Sequence, residues 1–233
     1  MRKALLFLLV ILLPISLFAS SGWNIGIEGG YTMGFYDQRG GERPYRIFSM
    51  GHAFELSVPI EYRVNEWFSI VSGLRYIGKP YNMHEDNSEE GGIDLYRTRN
   101  VNHYFEVPLS LRFSLGNDTI RGFLGAGLYL GVRFLSTESG RLNVHDFITT
   151  ADTNPYFWGT VDLNPVSDNL FDAGLLAEAG IGYTLGSGEL LISARYQYSF
   201  ISLDRKYQKN QVHRYIDTLS ITAGYSFSLG DKK

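Results

Sequence analysis

The chain has 233 residues, a formal charge of −3, no cysteine and 15% aromatic residues. So small a net charge offers no cationic surface for nucleic acid. The lack of cysteine excludes disulfides, thiolate chemistry and anchoring through a lipidated cysteine.

Arg2 and Lys3 precede an uninterrupted apolar run from Ala4 to Leu13, which Pro14 and a small-residue stretch bring to an end. That is the layout of a secretory signal, with cleavage after Ala19 or after Ser21. The run is shorter than the ~20 residues a spanning helix needs. Residues 1–21 are expected to be a signal peptide and 22–233 the mature domain. No later segment is long and apolar enough for a membrane helix, so a mature chain lodged in a membrane must form a closed barrel.

Eight segments then alternate with period two. In the first, Trp23, Ile25, Ile27, Tyr31, Met33 and Phe35 oppose Asn24, Gly26, Glu28, Gly30, Thr32 and Gly34. Phe54, Leu56, Val58, Ile60 and Tyr62 mark the second, and Phe68, Ile70, Leu74 and Tyr76 a third, blurred by Val71 and Ser72. Phe105 to Phe113, Leu124 to Phe134, Phe171 to Tyr183, Leu190 to Phe200 and Leu219 to Leu229 follow in the same manner. Each run reaches the 9–11 residues that a tilted strand needs to cross the hydrocarbon layer. The connections at Asn65-Glu66, Gly116 to Thr119 and Gly186 to Gly188 are tight, whereas 37–51, 78–102, 135–170 and 203–215 are long and polar. Short periplasmic turns and longer external loops are the rule for outer-membrane barrels. The pattern predicts an all-β, eight-stranded antiparallel up-and-down transmembrane barrel of the outer membrane, with both ends in the periplasm.

A soluble barrel would carry the same period with its apolar face inward. Here aromatics gather at strand ends: Trp23, Tyr62, Phe68, Phe113 and Tyr183 at one, Phe35, Tyr76, Phe134, Phe171 and Phe200 at the other. Two such girdles around an apolar band place that face in lipid. The opposite face, rich in glycine and short polar groups, suits a narrow interior. It also carries Glu28, Glu55, Glu61, Glu106, Asp172 and Glu178 against Arg63, Arg75, Arg112, Arg121, Arg133 and Arg195. An eight-stranded interior is just wide enough to be filled by side chains, so these charges are expected to form a mutually paired plug rather than a channel lining.

Tyr104-Phe-Glu-Val-Pro-Leu-Ser-Leu-Arg-Phe113, Gly122-Phe-Leu-Gly-Ala-Gly-Leu-Tyr-Leu-Gly131 and Ser193-Ala-Arg-Tyr-Gln-Tyr198 resemble strands four, five and seven of the PorT-like outer-membrane barrels. That family is more distantly similar to the OmpA/OmpX type. The resemblance implies a small barrel over nearly the whole mature chain and, through the family's namesake, a part in protein export. Loop three, about 135–170, is long for the family. Thr222-Ala-Gly224-Tyr-Ser-Phe227-Ser-Leu229 resembles the terminal-strand signal read by the barrel-assembly machinery, with Gly224, Phe227 and Leu229 at the key places.

The loops separate by charge: Arg39, Arg43 and Arg46 in loop one and Arg205, Lys206, Lys209 and Arg214 in loop four, against Glu85, Asp86, Glu89, Glu90 and Asp94 in loop two. The acidic loop either holds a divalent cation or is simply solvated. Tyr156, Phe157 and Trp158 form an aromatic cluster in loop three, either a binding site or a cap over the barrel mouth. His52, His84, His103, His145 and His213 lack ligand spacing, and no nucleophile elbow, HExxH or phosphate loop is present. No catalytic, cofactor or metal residues are assigned. The expected function is a non-enzymatic scaffold that displays its loops for binding or envelope integrity. The alternatives are an accessory factor in secretion or assembly, a rim-located lipid-modifying enzyme and a narrow pore. Expected partners are outer-membrane lipid and lipopolysaccharide, the barrel-assembly machinery and an envelope protein.

Overall fold

The computed structural model describes residues 22–39, 47–86, 95–142, 144–146, 151–153, 155–205 and 212–229. Residues 1–21, expected to be a signal peptide, and Arg43, Arg46, Glu89, Glu90, Asp94, Lys206 and Lys209 lie outside the described residues.

Alternation with β-branched and aromatic residues on one face favours long paired strands, and the described residues form eleven. Eight make the barrel: β1 (Trp23–Arg39), β2 (Ile47–Arg63), β3 (Phe68–Asp86), β4 (Leu95–Gly116), β5 (Ile120–Leu142), β9 (Phe171–Leu185), β10 (Gly188–Ser199) and β11 (His213–Ser228). Each pairs antiparallel with its neighbours in that order. β1 closes the ring on β11 in one unbroken register, from Asn24↔Ser228 to Arg39↔His213. Three short strands, β6 (Val144–Asp146), β7 (Ala151–Thr153) and β8 (Tyr156–Val161), lie in the connection between β5 and β9.

The tight turns have local chemistry that sets them. Asn65 Oδ1 accepts the Trp67 and Phe68 amides at 3.1 and 2.8 Å. Asn117 Oδ1 accepts those of Thr119 and Ile120 at 3.0 and 2.7 Å, the same side-chain mimic of a backbone turn. Gly186, at φ 64°, takes the left-handed conformation that a two-residue hairpin needs.

The apolar face points outward. Leu109, Leu124, Leu128 and Leu130 are half to two-thirds exposed, while Glu28, Glu106 and Ser110 on the opposite face are buried. Aromatic pairs rim the band at both ends. Trp23 meets Tyr62 at 4.7 Å and Phe68 meets Phe113 at 5.2 Å near the turns, and Phe105 stacks on Phe134 at 4.6 Å near the other end. This is the inside-out arrangement of a membrane barrel.

Several segments expected to be loops are strand. β3 and β4 run through most of 78–102 as one continuous ladder, from Gly78↔His103 to Asp86↔Leu95. β5 continues to Leu142, and β8 pairs with its upper part, so Tyr156, Phe157 and Trp158 stand in a strand and not in a loop. The ladder needs only backbone groups. Strict alternation marks a strand only where one face must meet lipid, so it stops at the membrane while the pairing goes on. Two register shifts also scramble the period, one between Met50 and Glu55 on β2 and one at His103/Tyr104 that leaves Phe134 as an extra residue on β5.

Leu109 and Leu128 are cross-strand partners midway between the girdles. Leu109→Arg is expected to cost about 2–4 kcal/mol of folding stability in lipid vesicles, measured by urea unfolding. A cost near zero would mean that this face does not meet hydrocarbon.

Candidate functional site

The inward positions carry charge in tiers, and each tier is closed by pairing. Near the turns Arg121 reaches Glu189 at 2.5 Å and Glu61 at 3.7 Å, and Arg63 reaches Glu189 at 2.8 Å. At mid-height Arg195 holds Glu55 at 2.6 Å, Glu28 at 3.0 Å and Glu178 at 3.6 Å, and Arg112 holds Glu178 at 3.0 Å. Higher up, Arg75 pairs with Glu106 at 2.5 Å, and Lys79 bridges Glu106 at 2.8 Å and Asp172 at 2.6 Å. The Lys79 ammonium also sits over the Tyr129 ring, 4.3 Å from its centroid. Gln197 and Ser199 complete the upper tier with bonds to Glu106 at 2.9 Å and Asp172 at 2.6 Å.

Glycine makes room for these carboxylates. A Cβ at Gly125 would lie 2.6 Å from a Glu178 oxygen, one at Gly131 2.9 Å from the Glu106 stem, and one at Gly224 2.5 Å from that of Glu28. Each acid lies flat across a neighbouring strand that lacks a side chain at that point. A cavity of about 20 Å³, bordered by Ser57, Arg75, Glu178 and Arg195, has room for one water.

The upper mouth is covered. Leu203 packs on Tyr81 and Ile216, with Tyr36, Phe48 and Met83 around them. Its backbone is tied on three sides: its amide donates to Arg214 O at 2.7 Å, and its carbonyl accepts from the Asn169 amide at 2.9 Å and the Arg133 guanidinium at 3.2 Å. Arg214 forks onto Asp204. Burial opposes the Arg214 charge, but Asp204 more than offsets it and raises the pKa above its ordinary value. Burial pushes the Tyr81 phenol up to about 12, so the cover carries a neutral hydroxyl there.

All twelve charges predicted for the interior stand on inward positions; Arg63 is the least enclosed, with its side chain 34% exposed. Sequence reasoning missed Lys79 and Glu189. Lys79 lies in the polar segment 78–102, which reads as loop, and Glu189 abuts a tight turn; continuing the alternation of β3 and β10 by a few residues reaches both. Tyr156 and Trp158 are exposed on the outer side of β8, and Phe157 faces the other way and is half-buried. Gly224 and Phe227 lie on β11, paired with Glu28 and Ile25, and Leu229 follows it.

The rim histidines turn outward and meet tyrosines. Tyr31 Oη lies 2.5 Å from His52 Nδ1, and Tyr76 Oη lies 2.7 Å from His103 Nδ1. The other His103 nitrogen is 3.2 Å from the Thr137 hydroxyl. These contacts anchor rings in the aromatic girdle.

Removing one cation should expose what the pairing contributes. Arg195→Met strips a guanidinium from three buried carboxylates, and a loss of about 3–5 kcal/mol is expected in urea unfolding from vesicles. Adding Glu55→Gln should restore part of it. An unchanged stability would show that the interior is hydrated and not held by charge pairs.

The family model of the outer membrane protein beta-barrel domain matches residues 18–205. No curated protein matches the sequence. Among solved structures, the chain is similar to Neisserial surface protein A, with 15% identity over 89% of this chain and 97% of that one and a TM-score of 0.46. It is also similar to OprG from Pseudomonas aeruginosa, with 10% identity over 90% and 98% and a TM-score of 0.46. Ail of Yersinia pestis follows, with 14% identity over 89% and 100% and a TM-score of 0.39. The chain belongs to the outer membrane protein beta-barrel domain family, and it is an eight-stranded protein of the outer membrane.

Proposed function

We propose that the protein is a non-conducting, non-enzymatic scaffold that holds its extracellular hairpins in place for binding or envelope integrity. The observation that supports this most is the interior. Paired charges fill it from Arg121 to Lys79, and Leu203 covers its upper end. A solute path would have to break several buried ion pairs at once, each costly to leave unpaired. The plug is thus a structural filling that fixes strand positions, and the hairpins above it carry the interactions.

The likeness of the β4, β5 and β10 segments to PorT-like barrels supports a second reading, an accessory part in a secretion or assembly complex. The exposed rings of Tyr156 and Trp158 favour it, since such anchors recur at protein interfaces. In either reading the leader at 1–21 directs export, and Gly224, Phe227 and Leu229 present the last strand to the barrel-assembly machinery.

In planar bilayers the protein is expected to give no sustained ohmic conductance, and replacing His52 and His103 with alanine is expected to leave the lipid A profile of producing cells unchanged. A steady conductance abolished by mutating interior charges would establish a pore. A histidine-dependent change in lipid A would establish a rim enzyme.

A further inference from the structure

Above the membrane the outer face of the barrel changes character. Six residues beyond the girdle ring Phe105 along β4 stands Arg99, in a cross-strand row that reads Asn82↔Arg99↔Ser139↔Trp158. The next row up reads His84↔Arg97↔Arg141↔Tyr156. These rows border an outward-opening groove of about 690 Å³, lined among others by Asn82, His84, Arg99, Ser139, Arg141 and Tyr156. The register shift at Phe134 is what turns Ser139 and Arg141 outward. Arg133, below it, points into the barrel. Without the extra residue the odd positions above would point there too.

The groove is equipped for an anion on a sugar. Arg99 and Arg141 are exposed, and a bond from the Arg99 guanidinium to His52 O at 2.5 Å fixes its place. His84 Nδ1 is buried with no hydrogen-bond partner among the described residues. A buried ring nitrogen of this kind calls for a ligand or a water. Beside these stand the exposed rings of Tyr156 and Trp158, at 65% and 69%. Their electron-rich faces suit the C–H faces of a saccharide.

Height selects among membrane anions. Six residues at ~3.3 Å each, tilted by ~45°, place Arg99 roughly 14 Å above the Phe105 girdle. A phospholipid headgroup reaches only about 5–8 Å beyond the hydrocarbon. Phosphates carried on sugars that rise above the headgroup plane reach the groove, and phospholipid phosphates do not. We propose that the outward groove of β3, β4, β5 and β8 binds the phosphorylated saccharide of an outer-leaflet glycolipid. Arg99, Arg141 and His84 take the phosphate, and Tyr156 and Trp158 pack on the sugar. The proposal rests on the membrane orientation assigned above, with the hairpin end outside.

The test uses full-length protein folded in detergent micelles and rough-type lipopolysaccharide as the probe, with binding followed by thermophoresis. The Arg99→Ala/Arg141→Ala variant is expected to bind at least about tenfold more weakly, because two charge-assisted contacts are lost. Wild-type protein should show the same loss toward the dephosphorylated probe. Tyr156→Ala/Trp158→Ala should weaken binding severalfold while leaving the response to dephosphorylation intact. Heat-modifiable migration on gels reports that each variant is folded. Equal binding by the double arginine variant overturns the proposal. So does equally tight binding of phosphatidylglycerol vesicles, or full displacement of the probe by millimolar inorganic phosphate, since each would reveal a general anion site. Orientation is checked separately by labelling Ser139→Cys on intact cells with a membrane-impermeant maleimide, in a chain that otherwise has no cysteine. Failure to label would refute the assigned orientation, whereas labelling with no loss of binding in the arginine variant would refute the groove alone.

Discussion

A backbone amide left without a partner in hydrocarbon costs several kcal/mol, and a sheet with two free edges has many. The seam between β1 and β11 removes both edges at once, with its register unbroken from Asn24↔Ser228 to Arg39↔His213. Everything else about the molecule is conditional on that closure. With eight strands the ring has a fixed girth, and the girth leaves room inside for side chains but little else. The outward face is then committed to lipid and the inward face to whatever fits.

What fits is a closely paired polar filling. Carboxylates alternate with guanidinium groups through the lumen, and glycine appears where an acid must lie flat. Gly125 beneath Glu178 and Gly224 beneath Glu28 are two cases. Such a lumen is specific in a way an oily one would not be, because shifting a strand by one residue would strand charges against each other. Arg195 illustrates the tolerance: it sits on β10 yet reaches acids on β1, β2 and β9. The interior therefore reports on the register of strands that do not touch.

The parts of this architecture that lipid dictates were legible in the sequence. Phe105, Val107, Leu109, Leu111 and Phe113 alternate because each second residue meets hydrocarbon, and the fold follows from eight such runs. Where lipid ends, the physical reason for alternation ends too. The ladder of β3 and β4 above Gly78 has no such pattern for that reason, and Lys79 reads as a loop residue along with it. The aromatic run at Tyr156 was visible as a composition, but its place beside β5 depends on pairing with residues 15 to 19 positions earlier. The row joining Arg99, Ser139 and Trp158 has no signature along the chain. It exists only once three strands are aligned.

Phe134 shows how much one residue can decide. A strand assigns its side chains to two compartments by counting, odd to one and even to the other. An extra residue resets the count for everything beyond it. Below that position β5 addresses the lumen with arginine; above it, the same parity addresses the cell's surroundings. The two halves of a single strand can thus be adjusted separately, the lower for the fit of the filling and the upper for what lies outside. A length change of one residue in that strand would exchange the surface presented to the exterior without touching a residue of the membrane band.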